Sequence, residues 1–226
     1  MARIPGLEGL CTQHGLRMCS VEQIIEWRLA REALIERMEP LDGSEIATPE
    51  GPFRLFAWQS SIDALPHLAL TLGGIGVPVE NGRIPEVDEP VLVRMHRREI
   101  LGDVFGVSFN GGDPGQETIR RSLRAIRREG RGALVYLRSE GSGFDLPDRI
   151  QRIRRRAGRD VNAPDLLSPD GIGAKAQPMD LRHFGIGGQI LRDLGLRRLR
   201  LLSNHPRSLP GLHGFGLEVS GFEALA

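Results

Sequence analysis

Tyr136 is the single tyrosine of the chain and closes an apolar run, "GALVYLR" (132–138). A phenol at a strand end either buries its ring and satisfies one hydrogen bond, or gives a proton to a reacting centre beside it. Arg138 and Glu140 alternate beyond it in "YLRSEGSG" (136–143). A second group lies in "MDLRHFGIGGQIL" (179–191), where Asp180 stands at a helix N-cap position and capping alone would explain it. Arg182 follows in the first turn, where the helix dipole disfavours a cation, so the guanidinium makes sense there if it leaves the helix for phosphate or carboxylate. A third, "LLSNHPR" (201–207), sets a hydroxyl (Ser203), an amide (Asn204) and a guanidinium (Arg207) around a turn, the makings of a phosphate clamp. The fourth, "PVLVRMHRREILGDVFGVSFNGGDPGQETIRRSL" (90–123), carries Arg94 on a strand, then Gly102-Asp103, then Gly111, Gly112 and Gly115 ahead of a helix. Backbone N–H groups in such a loop can approach an anion, although a tight turn and a helix start account for the same glycines.

The elements that must hold these groups can be read from periodicity. "VLVRMH" (91–96), "GALVYLR" (132–138) and "RRLRLLS" (197–203) read as strands, as do 53–58, 67–72 and 216–220. "GQETIRRSLRAIRREG" (115–130) reads as a helix with Ile119, Leu123 and Ile126 on one face and Gly130 as its stop. Helices are also expected over 20–35, with Ser20 as N-cap and Ile24, Ile25 and Leu29 at helical spacing, over 145–158 and over 180–195. Residues 1–19 read as a Pro/Gly-punctuated lead-in, and 76–90, with three prolines, as an exposed insertion. Strands alternating with helices over 91–220 predict a mixed α/β layer sandwich, with the loops at 97–114, 139–145 and 203–208 facing one cleft.

Composition removes several classes of function. Among 226 residues, Lys+Arg 30 against Asp+Glu 29 leaves a net charge of +1, which gives no drive toward a nucleic-acid polymer or a membrane surface. Lys175 is the only lysine, so 29 of the 30 basic side chains are arginine; this suits bidentate phosphate contacts and equally a GC-rich genome. The arginine runs at 120–128 and 152–156 read as solvated helix faces. No apolar run is long enough to span a membrane, and a cytoplasmic protein is expected. Cys11 and Cys19 could supply at most half of a thiolate zinc site and read as ordinary reduced cysteines.

In their order, "PVLVRMH…GDVFG", "EGRGALVYLRSEG", "DLRHFGIGGQILRDLGLRRLRLLSNHPR" and "GLHGFGLEV" resemble GTP cyclohydrolase II, which opens GTP in the first step of riboflavin synthesis. The text "MARIPGLEGLCTQHGLRMCSVEQIIEWRLARE" resembles the end of 3,4-dihydroxy-2-butanone 4-phosphate synthase, giving an expected division into a remnant (1–33) and a cyclohydrolase-like domain (34–226). The resemblance implies a layered mixed sheet with flanking helices and a homodimer. It implies that Arg182 meets the α-phosphorus as pyrophosphate leaves, that Asp180 acts as its partner base, and that Tyr136 lies near the ring chemistry. By the same token Arg94, Asp103, Arg138, Glu140, Ser203 and Arg207 belong to the phosphate- and nucleotide-binding set.

The departures from the family are as informative. The family holds zinc through three cysteines, and the matching positions here are Glu99, Asn110 and Gly112. A carboxylate, an amide and a missing side chain are a poor replacement for three thiolates. Leu101 replaces a threonine of the Gly-Asp loop, Ser142 an arginine, and Phe144-Asp145 an Ile-Gly pair. The expectation is therefore an enzyme acting on the phosphate or ribose end of a purine nucleotide or phosphoribosyl compound, without zinc, with magnesium accompanying the nucleotide. Two alternatives stand beside it: a non-catalytic nucleotide-binding or regulatory homologue, and a cyclohydrolase using another metal on His96, Glu99, Asp103 or Asp113.

Overall fold

In the computed structural model of the chain the described residues are 4–19, 23–24, 27–28, 31–108, 113–138, 146, 150, 181–204 and 210–225. Eight strands form one mixed sheet: β1 (Ile35–Arg37), β2 (Ser44–Thr48), β3 (Gly51–Ser60), β4 (His67–Leu72), β5 (Val91–Arg97), β6 (Gly132–Leu137), β7 (Arg198–Leu202) and β8 (Glu218–Glu223). The order is β1-β3-β4-β6-β5-β7-β8, with β2 paired to β3. The pairs β3–β4 and β4–β6 are antiparallel; β6–β5, β5–β7 and β7–β8 are parallel. The carboxyl ends of β5, β6 and β7 therefore share one edge, and so do the segments that leave them.

The sheet is covered on both faces because its central strands are apolar on both. α3 (Gly115–Glu129) lays Leu123 and Ile126 on Leu92, Leu134 and Leu202, with Phe53 in the same cluster and Ile119 packed against it. Gly130 ends this helix with φ 77, a left-handed stop that a side chain would strain. On the opposite face α4 (Leu181–Asp193) and the turn after it bring Ile186, Ile190, Leu191 and Leu194 against Val91, Val93, Val135, Leu137 and Leu199. The mixed α/β layered fold expected from the sequence is the fold found.

Several local expectations are corrected. Residues 4–14, read as an irregular lead-in, form helix α1 (Ile4–His14); Pro5 falls in its first turn, where a missing N–H costs nothing. The Gly-Asp stretch is not a loop: Ile100–Phe105 is a short helix, α2, closed by Gly106 at φ 66. The last strand runs Glu218–Glu223 rather than 216–220, because its register is set by pairing with β7. β1, β2 and the 3-10 turn Pro210–Phe215 were not expected; "IER" and "SEIAT" carry little strand propensity and are held by β3. In the 76–90 insertion Val87 is buried and bridges to Leu196, although Val79 is exposed as expected. Within 20–35, residues 23–24, 27–28 and 31 are helical, and Ile24 is exposed. Ser20, Ile25, Leu29 and most of the 145–158 helix lie outside the described residues. The arginine face at 120–128 is solvated as expected, with Arg121 paired to Asp113 and Glu117 and Arg124 to Glu50.

Candidate functional site

β5 and β6 run parallel with His96 opposite Tyr136 at their carboxyl ends. Alternation along β5 puts Leu92, Arg94 and His96 on the face that α3 covers, so the strand passes from core to polar groups as it nears the edge. The two rings stack, 5.5 Å between centroids and 10° between planes. α2 then returns Asp103 to them. Its Oδ1 is 2.9 Å from His96 Nε2, and its Oδ2 accepts from the Tyr136 hydroxyl at 2.7 Å and from the Glu99 backbone N–H at 2.7 Å. The Asp103 side chain is 3% exposed and that of His96 8%.

Burial by itself works to neutralise Asp103, but the bond and charge of His96, the Glu99 amide and the Tyr136 hydroxyl outweigh it and hold the carboxyl below its usual value. Burial first, and then the bond and charge of Asp103, raise the Tyr136 phenol above its ordinary range, against a smaller opposing pull from Arg98 and Arg138. Asp103 is thus an anion held by three donors, and Tyr136 a neutral phenol. Its position also depends on glycine at the start of α3: a Cβ on Gly115 would overlap Asp103 Oδ1. A Cβ on Gly102 would come within 2.7 Å of Glu99 Oε2.

Glu99 is the N-cap of α2, with its side chain accepting from the Gly102 N–H at 2.6 Å. The carboxylate at the first of the three positions where the sequence resemblance sets zinc cysteines is therefore bound to backbone. The second and third positions, Asn110 and Gly112, lie outside the described residues, and glycine brings no ligand atom. This donor set does not fit a thiolate zinc site. Among the described residues no group of three or more His, Cys, Asp or Glu side chains is arranged to hold a metal. Of the four residues considered as oxygen or nitrogen ligands, His96 and Asp103 bond to each other and Asp113 to Arg121.

Arg94 lies one turn of the pleat before His96. Its Nη1 donates to Leu202 O at 2.8 Å, its Nε is buried with no partner among the described residues, and burial lowers its pKa. Arg138 follows β6, its backbone N–H donating to Nδ1 of the fully buried His67, whose Nε2 is 3.2 Å from Asp63. Ser203 follows β7, with its N–H on Glu223 O at 2.8 Å, and the exposed Asn204 accepts from the Leu225 N–H through its Oδ1. Asp180, Glu140 and Arg207 lie outside the described residues; Arg182 is in the first turn of α4. The fold thus brings Tyr136, Asp103 and Arg94 to one edge, and adds His96, which sequence reasoning weighed only as a metal ligand. Its signal was the alternation Arg94–His96 on a strand otherwise apolar.

The region 40–224 matches the family model described as GTP cyclohydrolase II. The chain belongs to the GTP cyclohydrolase II family. It is 35% identical over 221 residues to "Riboflavin biosynthesis protein RibBA" of Bacillus subtilis, and 36% identical over 222 residues to the protein of the same name from Aquifex aeolicus. Each match covers 97% of this chain but only 50% and 49% of the relative, so the chain spans about half the length of the curated relatives it matches. The match reaches well into the segment ahead of residue 40. A solved structure, "RibBX, a two domain 3,4-dihydroxy-2-butanone 4-phosphate synthase from A. baumannii", shares the fold with a TM-score of 0.58 and 22% identity, over all of this chain and half of that one. Among the described residues no helix is long and apolar enough to cross a membrane.

Proposed function

We propose that this chain is a GTP cyclohydrolase II-family domain without the thiolate zinc, acting on the phosphate end of a purine nucleoside triphosphate. The observation that carries the reading is the contrast between the two halves of the site. Glu99, where the sequence resemblance sets a zinc ligand, caps Gly102, while the same resemblance gives Asp180, Arg182 and Arg207 the family's phosphate-end roles. In the family, zinc generates the hydroxide that opens the imidazole ring. A site lacking it has no means of ring opening or formate release. What remains is displacement at the α-phosphorus: a water oxygen bonds to phosphorus, the bond to the bridging oxygen breaks, and pyrophosphate leaves. Asp180 takes the proton from that water, and Arg182 stabilises the charge that grows on the phosphoryl oxygens. Arg94, Arg138, Ser203 and Arg207 bind the phosphates and Glu140 the base, with magnesium arriving on the nucleotide.

Within this reading residues 1–33 are the trailing piece of a synthase half, and the domain works as a homodimer. Replacing Arg182 by Ala tests the assignment: pyrophosphate release from GTP should fall at least a hundredfold, on the scale of losing one transition-state donor. Unchanged turnover would remove Arg182 from the reaction.

A second reading is favoured by one feature. Asp103 ties His96 and Tyr136 into one hydrogen-bonded set, and Arg94 donates to Leu202 O, as in a domain that binds nucleotide without turning it over. Equal binding of GTP by wild type and Arg182→Ala, with no product from either, would establish this one.

A further inference from the structure

Hydrogen-bond polarity around Asp103 fixes which way the Tyr136 hydroxyl faces. A carboxylate can only accept, so the three atoms about it are donors: the His96 Nε2–H, the Glu99 N–H and the Tyr136 O–H. A phenol has one proton, and here that proton is committed to Asp103 at 2.7 Å. The sequence allowed Tyr136 to be a proton donor beside the reacting centre; in the fold its donor is already used. What the oxygen has left is lone-pair capacity.

We propose that Tyr136 is a hydrogen-bond acceptor for an N–H or O–H of the substrate, with Asp103 and His96 as the positioning residues that turn it that way. The inference rests on the nucleotide reading above and narrows it. Phosphate oxygens are acceptors, and two acceptors without a proton between them do not bond, so Tyr136 is excluded as a phosphate contact. Its partner must be a donor on the other half of the molecule, the exocyclic purine amine or a ribose hydroxyl. Phosphate falls instead to the arginines assigned to it above. The arrangement is held from every side: His96 stacks on the phenol, α2 carries Asp103 in, and Gly115 at the head of α3 leaves room for the carboxylate. Because Tyr136 is the only tyrosine, its ionisation can be followed in the intact chain by ultraviolet absorbance of the phenolate, without labelling.

The test has two parts on the same proteins, wild type, Tyr136→Phe and Asp103→Asn. In the first, alkaline absorbance titration should show Tyr136 of wild type ionising above the ordinary phenol value near 10, and Asp103→Asn should bring it down toward that value. Ionisation at the ordinary value in wild type, or no change in Asp103→Asn, would overturn the arrangement. In the second, affinities are measured for GTP, for inosine triphosphate (no exocyclic amine), for 2′-deoxy- and 3′-deoxy-GTP, and for inorganic pyrophosphate. Wild type should bind GTP roughly tenfold more tightly than the one analogue that lacks the donor, and Tyr136→Phe should bind those two alike. Pyrophosphate should bind wild type and Tyr136→Phe equally. A tenfold loss of pyrophosphate affinity in Tyr136→Phe would show the phenol donating to phosphate and overturn the proposal, as would equal binding of all four nucleotides by wild type. Should wild type bind none of the five while the titration behaves as stated, the nucleotide reading falls and the orientation of the phenol stands.

Discussion

Replacing Glu99 by Ala separates a helix cap from a metal ligand. Glu99 holds one backbone donor, the Gly102 N–H at 2.6 Å, at the start of a six-residue helix, and its amide N–H in turn holds Asp103. Losing a side-chain cap costs about 1 kcal/mol, and the backbone bond to Asp103 survives the substitution. For a domain of this size that is a fall in Tm of roughly 2–4 °C. A structural zinc contributes far more, on the order of 10 kcal/mol in small zinc modules. The assay is thermal denaturation of wild type and Glu99→Ala, each with and without a strong chelator. Both proteins should be indifferent to the chelator, and the variant should melt a few degrees lower. A fall of ten degrees or more in wild type on chelation, absent in Glu99→Ala, would show that Glu99 holds a metal and refute the cap reading.

Three further outcomes follow from other parts of the fold. Gly115→Ala puts a methyl on Asp103 Oδ1, so the carboxylate must move; stability should drop by about 1–3 kcal/mol in urea denaturation, and phenolate absorbance should appear at lower pH than in wild type. Asp193→Ala leaves the Arg37 guanidinium, 7% exposed, without its carboxylate and the Trp58 indole N–H without an acceptor. Fully buried pairs cost about 3–5 kcal/mol when broken; the partial exposure of Asp193 and the bonds Arg37 keeps to Leu41 O and Gly76 O bring the expected loss to about 2–3 kcal/mol, read from the urea midpoint. Asp103, with its folded value depressed, adds stability that is complete above the unfolded carboxyl value near 4 and is lost as pH falls through the folded one. Between pH 5 and 2 wild type should therefore lose stability more steeply than Asp103→Asn, and parallel pH profiles would contradict this.

What could be read from the sequence follows from how each element is specified. α3 announces itself because its apolar stripe and its glycine stop are local, and both Ile126 and Gly130 do what the pattern requires. β4, β5 and β6 are equally legible, being apolar strands fixed by burial on both faces. α2 was missed because a six-residue helix has no periodicity to show, and its cap is a glutamate rather than a serine or aspartate. Within the site, Tyr136 and Asp103 were found as residue types, but their bond joins positions 33 residues apart and no spacing reveals it. His96 was underrated for the same reason: its role depends on a stacked partner from the neighbouring strand.

The central claim is that the zinc-dependent half of the family's reaction is absent while the phosphate half remains. It is tested most directly by incubating the pure protein with GTP and magnesium, following phosphorus by NMR and formate by mass spectrometry, and measuring zinc in the same sample. The account predicts pyrophosphate and guanosine monophosphate, no formate, and zinc far below one per chain. Stoichiometric zinc together with formate release would contradict it.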